Sequence, residues 1–180
     1  HAAPSVPLGR DMAWWAPTPK KLLFVCLRPT PSAAMLLARA SEGLPEGRRF
    51  RPEDLHVTLG VIGPLDGLRE SATRDAWTQV LDLATQVLPP VMRVSGVKSF
   101  SSGGRTMPCL VLSSDAVEEI RGMLGLRMMA EGMPLDTSQP FSPHMTVGRL
   151  EEGETGDAIS PPCARFVSPG IWLCAGRRQA

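Results

Sequence analysis

The chain has 180 residues, 43% hydrophobic and 21% charged, enough apolar material for one substantial core or two small lobes and too much for a disordered chain. A formal net charge of +1 argues against a protein that coats duplex nucleic acid, while leaving room for a local basic patch. No apolar run approaches the roughly 20 residues of a membrane-spanning helix, and the four cysteines, Cys26, Cys109, Cys163 and Cys174, form no C-x-x-C pair and read as reduced thiols of a cytosolic protein.

Residues 1–19 are Pro-rich and aperiodic, without a signal-peptide core, and are expected to be an irregular segment that includes an expression remnant. Lys21 to Leu27 reads as a buried strand, and Thr30-Pro31 as the cap and first position of a short helix reaching about Ser41. A basic turn, Arg48-Arg49-Phe50-Arg51-Pro52, leads into a strand that carries His56 and ends near Ile62, where Gly63-Pro64 breaks it. Trp77, Val80, Leu81, Ala84 and Leu88 have helical spacing and predict a helix from roughly Leu68 to Leu88. Val91 to Lys98 and Pro108 to Ser113 read as strands joined by a Ser/Gly-rich loop, Ser99 to Thr106. Ser114-Asp115 caps a helix with Val117, Ile120, Leu124 and Met128 on one face, and Met123, Met128, Met129 and Met133 read as core filler. A second histidine strand spans His144 to Leu150, an acidic loop follows from Glu151 to Asp157, and Cys163 to Val167 with Ile171 to Ala175 predict a last strand pair.

The chemistry concentrates in two near-copies of one tetrapeptide, His56-Val57-Thr58-Leu59 and His144-Met145-Thr146-Val147, which hold two of the three histidines. On a strand, His and Thr at i and i+2 share a face while the apolar residues point into a core. Each copy therefore offers an imidazole beside a hydroxyl, one group to exchange a proton and one to grip an anionic oxygen. The context repeats too, since Phe50-Arg51-Pro52 precedes one histidine and Phe141-Ser142-Pro143 abuts the other, a weak internal repeat of one unit per half. A zinc site needs at least three protein ligands at compatible spacing, which the scattered cysteines and carboxylates do not supply, so no metal and no cofactor is expected.

These residues together, with Gly60, Ile62-Gly63 and the trailing Gly148-Arg149, resemble the 2H phosphoesterase superfamily, and within it the RNA 2',3'-cyclic phosphodiesterases, also called the 2'-5' RNA ligase family. The likeness covers about residues 20 to 175. It implies an α+β fold of two similar lobes in residues 20–180, each a mostly antiparallel sheet with helices on its outer face, enclosing a central cleft with one H-x-T-x strand from each lobe. It further implies metal-independent opening of a 2',3'-cyclic phosphate at an RNA end, leaving a 2'-phosphate. In that chemistry His56 is the proton donor and His144 the proton acceptor. Thr58, Thr146 and Arg149 bind the phosphate, and the partner is RNA or a short oligonucleotide, met by a cytoplasmic monomer. Arg149 stands five residues from His144, on the wrong face of a regular strand, so it needs a bulge for which Gly148 is the candidate. The first copy's tail, Gly60-Val61-Ile62-Gly63, lacks the Phe that the family more often carries before its Leu-Gly.

Other readings of the same residues are ATP-independent 2'-5' joining of RNA ends in the same site, hydrolysis of a cyclic nucleotide or cyclic ADP-ribose phosphate, and a noncatalytic binder of RNA ends. Arg48, Arg49 and Arg51 are either a solvated turn or an RNA-backbone contact. Phe50, Phe100, Phe141 and Trp172 could stack a terminal base, although core packing is the expected fate of each.

Overall fold

Strand β1 (Lys21–Leu27) opens the described chain. It is followed by helix α1 (Pro31–Ala38), β2 (Val57–Pro64), β3 (Val91–Ser102), β4 (Arg105–Ser113), helix α2 (Asp115–Ala130), β5 (His144–Thr146), β6 (Arg165–Val167) and β7 (Ile171–Arg177). This computed structural model describes residues 21–64, 75, 77, 78, 80, 89–102, 104–136, 140–151 and 153–177. The segment 1–19 and most of the helix expected over 68–88 lie outside them. The described residues of that helix, Asp75, Trp77, Thr78 and Val80, are helical, and Trp77 and Val80 are buried.

All strand pairs are antiparallel, in the order β6-β3-β4-β5-β2-β1-β7. The α+β class expected from the sequence is the observed one, and the two halves of the chain remain visible in it. β2, β1 and β7 form one wing, β5, β4, β3 and β6 the other, and Val57 opposite Met145 joins them into a single seven-stranded sheet. Apolar residues of both halves, among them Val25, Leu27, Val57, Leu59, Leu110, Met145 and Val147, belong to one buried cluster with the inner faces of α1 and α2. α1 starts as its sequence dictates, with Pro31 at the first position and the Thr30 hydroxyl accepting from the Ala33 amide at 3.4 Å. Ser114 occupies the N-cap of α2 without a side-chain capping bond, and Asp115 and Glu118 in the first turn complement the helix dipole instead.

Three expectations are corrected. Cys163–Val167 and Ile171–Ala175 do not pair with each other, because β6 and β7 are the opposite edges of the sheet. A flat seven-stranded sheet would set those edges about 29 Å apart, whereas the three residues between Val167 and Ile171 let them separate by about 14 Å at most. The sheet must therefore be strongly curved. Buried Ser168 fastens the closure, accepting from the Arg28 amide at 3.1 Å and donating to the Gly170 carbonyl at 2.8 Å. Second, the Ser/Gly-rich stretch 99–106 is mostly strand, with Phe100 opposite Met107 and Ser101 opposite Thr106, and the reversal is confined to residues around Gly104, whose φ of 73° suits glycine. Third, β2 continues through Gly63-Pro64, with register shifts against β1. Of the four methionines read as core filler, Met128 and Met133 are buried, while Met123 and Met129 are exposed.

Candidate active site

The join between the two wings brings the repeated tetrapeptides together. With Val57 opposite Met145 in antiparallel pairing, the chain directions set His56 against Thr146 and Thr58 against His144. Each histidine thus faces the other copy's threonine, and all four alternate with Val57, Leu59, Met145 and Val147, which are buried in the core. Both rings are oriented in the same way. His56 Nδ1 donates to the Asp54 carbonyl at 2.8 Å and His144 Nδ1 to the Ser142 carbonyl at 2.7 Å, in each case two residues upstream. A carbonyl can only accept, so Nδ1 carries the hydrogen and Nε2 is left to exchange a proton with a ligand. The repeated Pro lead-ins supply these carbonyls, Asp54 from the short turn Pro52–Asp54 and Ser142 from the irregular segment before Pro143.

An aromatic ring backs each imidazole. Phe24 lies 5.3 Å from His56 between ring centroids, and Phe100 lies 4.6 Å from His144, with the Lys98 ammonium 4.8 Å above the Phe100 ring. Burial holds His56 below the ordinary imidazole value. The Asp54 carbonyl bond opposes that shift, and the positive charges of Arg28 and His144 add to it. Cys109 stands opposite Thr146 on β4, its thiol donating to the Met107 carbonyl at 3.3 Å with Sγ 3.4 Å from the Thr146 hydroxyl. Burial pushes that thiol up to about 11, so at neutral pH it is an uncharged neighbour of the site.

A cavity of about 400 Å³ opens from Thr58 and His144 and is bounded by Gly60, Phe100, Arg121 and Phe141. Arg121 reaches it from α2, donating from Nε to the Leu59 carbonyl at 2.9 Å and covering the Phe141 ring at 4.6 Å. A larger cavity of about 540 Å³ lies between α1 and the β6 edge, but none of its described lining residues is a histidine or a carboxylate, so the chemistry singles out the smaller one.

Arg149 depends on a bulge, and the register contains one. Thr146 stands opposite Cys109 and Leu150 opposite Thr106, four steps on one strand against three on the other. Val147 and Leu150 are consequently both buried although three residues apart, and Arg149, next to Leu150, falls on the face of His144 and Thr146. Gly148 is what permits this, since a Cβ there would come 2.7 Å from Leu44 Cδ1 and 2.9 Å from the Arg48 carbonyl oxygen. The Arg48 carbonyl is itself fixed by the Arg149 amide at 2.8 Å.

The basic turn is occupied locally. Arg48 pairs with Glu151 at 2.9 Å and Glu154 at 3.2 Å, Arg49 donates to the Leu44 and Glu42 carbonyls, and Arg51 pairs with Asp54 and Glu53. Phe50 packs against the core. Sequence reasoning missed Phe24, Arg28, Lys98, Cys109 and Arg121. In the continuous apolar run from Leu22 to Leu27 no alternation marks the inward face, and only the β1 register shows that Cys26 flanks Thr58.

The sequence pattern of the 2'-5' RNA ligase superfamily matches residues 29–169, most of the chain. The chain belongs to that superfamily. Its members are two-histidine phosphoesterases, and the protein is an enzyme of phosphoesterase type. The fold agrees with those of solved structures of low sequence identity. E. coli LigT complexed with 3'-AMP is 16% identical, with a TM-score of 0.63 over 87% of this chain and 88% of that one. TT0787 of Thermus thermophilus is 16% identical, with a TM-score of 0.57 over 84% and 83%. The MHV ns2 PDE domain is 19% identical, with a TM-score of 0.52 over 87% of this chain and 99% of that one. No curated protein matches the chain in sequence. No described helix is long and apolar enough to cross a membrane.

Proposed function

We propose that the protein hydrolyses 2',3'-cyclic phosphate ends of RNA or short oligonucleotides to 2'-phosphate ends. The observation that carries this reading is the reciprocal pairing of His56 with Thr146 and Thr58 with His144, with both Nδ1 atoms engaged by backbone carbonyls, which leaves Nε2 of each ring to a ligand. His144 accepts the proton of the attacking water and His56 donates one to the departing 3'-oxygen, so the proton count is restored after each turnover through solvent. Thr58 and Thr146 donate to the nonbridging oxygens, where charge builds during in-line displacement, and Arg149 adds a guanidinium on the same face. Burial disfavours the protonated His56 that the donor role needs, and the anionic phosphate restores it on binding. No step calls for a metal or cofactor. The binding of 3'-AMP by E. coli LigT supports a nucleotide phosphate as the ligand class.

A 2',3'-cyclic-phosphate oligonucleotide is expected to turn over in excess EDTA, and His56→Ala or His144→Ala to lower that turnover by orders of magnitude. Product phosphate on the 3' position would overturn the assignment of the leaving oxygen. Joining of RNA ends is the reverse step with a 5'-hydroxyl in place of water, and a 5'-hydroxyl acceptor added to the assay tests it directly.

A further inference from the structure

Beyond the histidines, one group of reactive side chains has no part in the proposed hydrolysis. Cys26 on β1 and Cys174 on β7 are 148 residues apart in sequence, and their sulfur atoms lie 3.1 Å from each other. The register explains the meeting, because Phe24 stands opposite Cys174 and Cys26 opposite Trp172, which makes the two cysteines diagonal neighbours on one face of the sheet. Arg28, two residues beyond Cys26, donates from Nη2 to Cys174 Sγ at 3.5 Å. Cys26 is fully buried and Cys174 half-buried. The contact with Cys26 and the Arg28 charge hold Cys174 down to about 6 against burial, while Cys26 is pushed far up. The thiolate is therefore favoured on Cys174, and Cys26 is its proton-bearing partner.

We propose that Cys174, Cys26 and Arg28 form a peroxide-sensitive dithiol site, in which hydrogen peroxide oxidises Cys174 and Cys26 then closes a disulfide between β1 and β7. In the first step the Cys174 thiolate attacks one peroxide oxygen, the O–O bond breaks, and hydroxide leaves and is protonated to water, giving a sulfenic acid. In the second the Cys26 sulfur attacks Cys174 Sγ, the S–O bond breaks, and hydroxide departs with the Cys26 proton as a second water. Two thiols are oxidised by two electrons and one peroxide is reduced. The bond forms one strand away from Thr58, since Cys26 is its cross-strand partner. Cys163 is exposed, but Cys174, with a guanidinium and a second thiol against its sulfur, is the one equipped for both steps.

The test is made on the reduced 180-residue chain, exposed to a small excess of hydrogen peroxide at neutral pH, quenched, alkylated with iodoacetamide and digested without reductant for peptide mass spectrometry. The expected main product is a linked Cys26–Cys174 peptide pair, lighter than the two free peptides by two hydrogens, with Cys109 and Cys163 recovered alkylated. The link is lost in Cys174→Ser and kept in Cys163→Ser, and in Cys26→Ala dimedone captures the sulfenic acid on Cys174. Recovery of wild-type Cys174 as an unlinked sulfinic or sulfonic acid overturns the proposal, as does oxidation of Cys163 while Cys174 is alkylated. These readouts are masses and do not depend on what the two histidines catalyse.

Discussion

The two halves of the chain carry the same tetrapeptide and the same carbonyl bond to Nδ1, yet they surround the imidazole differently. His56 lies in the wing of β1 and β7, against Phe24 and near the Arg28 charge, and burial depresses its proton affinity. His144 lies in the wing of β4 and β3, against Phe100 and at the mouth of the cavity that Arg121 bounds. The motif and its upstream carbonyl set where each ring points; the neighbouring strands set what surrounds it. A repeat that is nearly symmetric in sequence thus places its two imidazoles in different surroundings.

Substitutions in both halves break this comparison most severely at the histidines, where His56→Ala and His144→Ala are each expected to lower kcat by about 10²- to 10⁴-fold, read from steady-state hydrolysis of a cyclic-phosphate oligonucleotide. Equal losses with an unchanged fold by circular dichroism are the expected result, and full activity in either variant would contradict paired proton transfer. Next come the threonines. Thr58→Val and Thr146→Val each remove one donor to the phosphate, and each is expected to lower kcat by about 10²- to 10³-fold with a smaller change in KM.

The bulge was only half legible in the sequence, and it supplies the next test. Arg149 at an odd offset from His144 called for a re-aimed strand, and Gly148 named the place, but only the shift from Cys109–Thr146 to Thr106–Leu150 shows it formed. The tetrapeptides were legible because polar and apolar residues alternate in them, and the α+β class because strand and helix periodicities alternate along the chain. The positions of β6 and β7 were not, since two short apolar runs with a turn between them look like a hairpin, whereas their partners are β3 and β1, remote in sequence. The sequence leaves the basic turn open between a solvated turn and an RNA-backbone contact because the carboxylates that neutralise Arg48 lie about 100 residues away, at Glu151 and Glu154. Gly148→Ala is expected to destabilise the protein by about 1–3 kcal/mol, read as a shifted denaturation midpoint, and to weaken phosphate binding along with it. An unshifted midpoint would remove the packing argument for Arg149.

The smallest expected effect is the most specific to the asymmetry. Removing the nearby positive charge in Arg28→Gln raises the depressed His56 value toward the ordinary one, so the limb of the kcat/KM profile that reports the His56 titration moves to higher pH. The position of the limb is the readout, since its height also reflects any contact of Arg28 with substrate. Stability follows the same sign. The folded state holds the His56 proton less tightly than the unfolded chain, so this contribution is present above the unfolded value of 6.5 and is lost as pH falls through the folded one.

The central claim, that one phosphate is held between the two histidine–threonine pairs, is tested most directly by a crystal structure of the protein soaked with a nucleotide 2'- or 3'-monophosphate. The account predicts a single phosphate within hydrogen-bond reach of Nε2 of both His56 and His144 and of both threonine hydroxyls, with the Arg149 guanidinium turned toward it. A phosphate bound by one histidine alone, or seated in the cavity between α1 and β6, would contradict it.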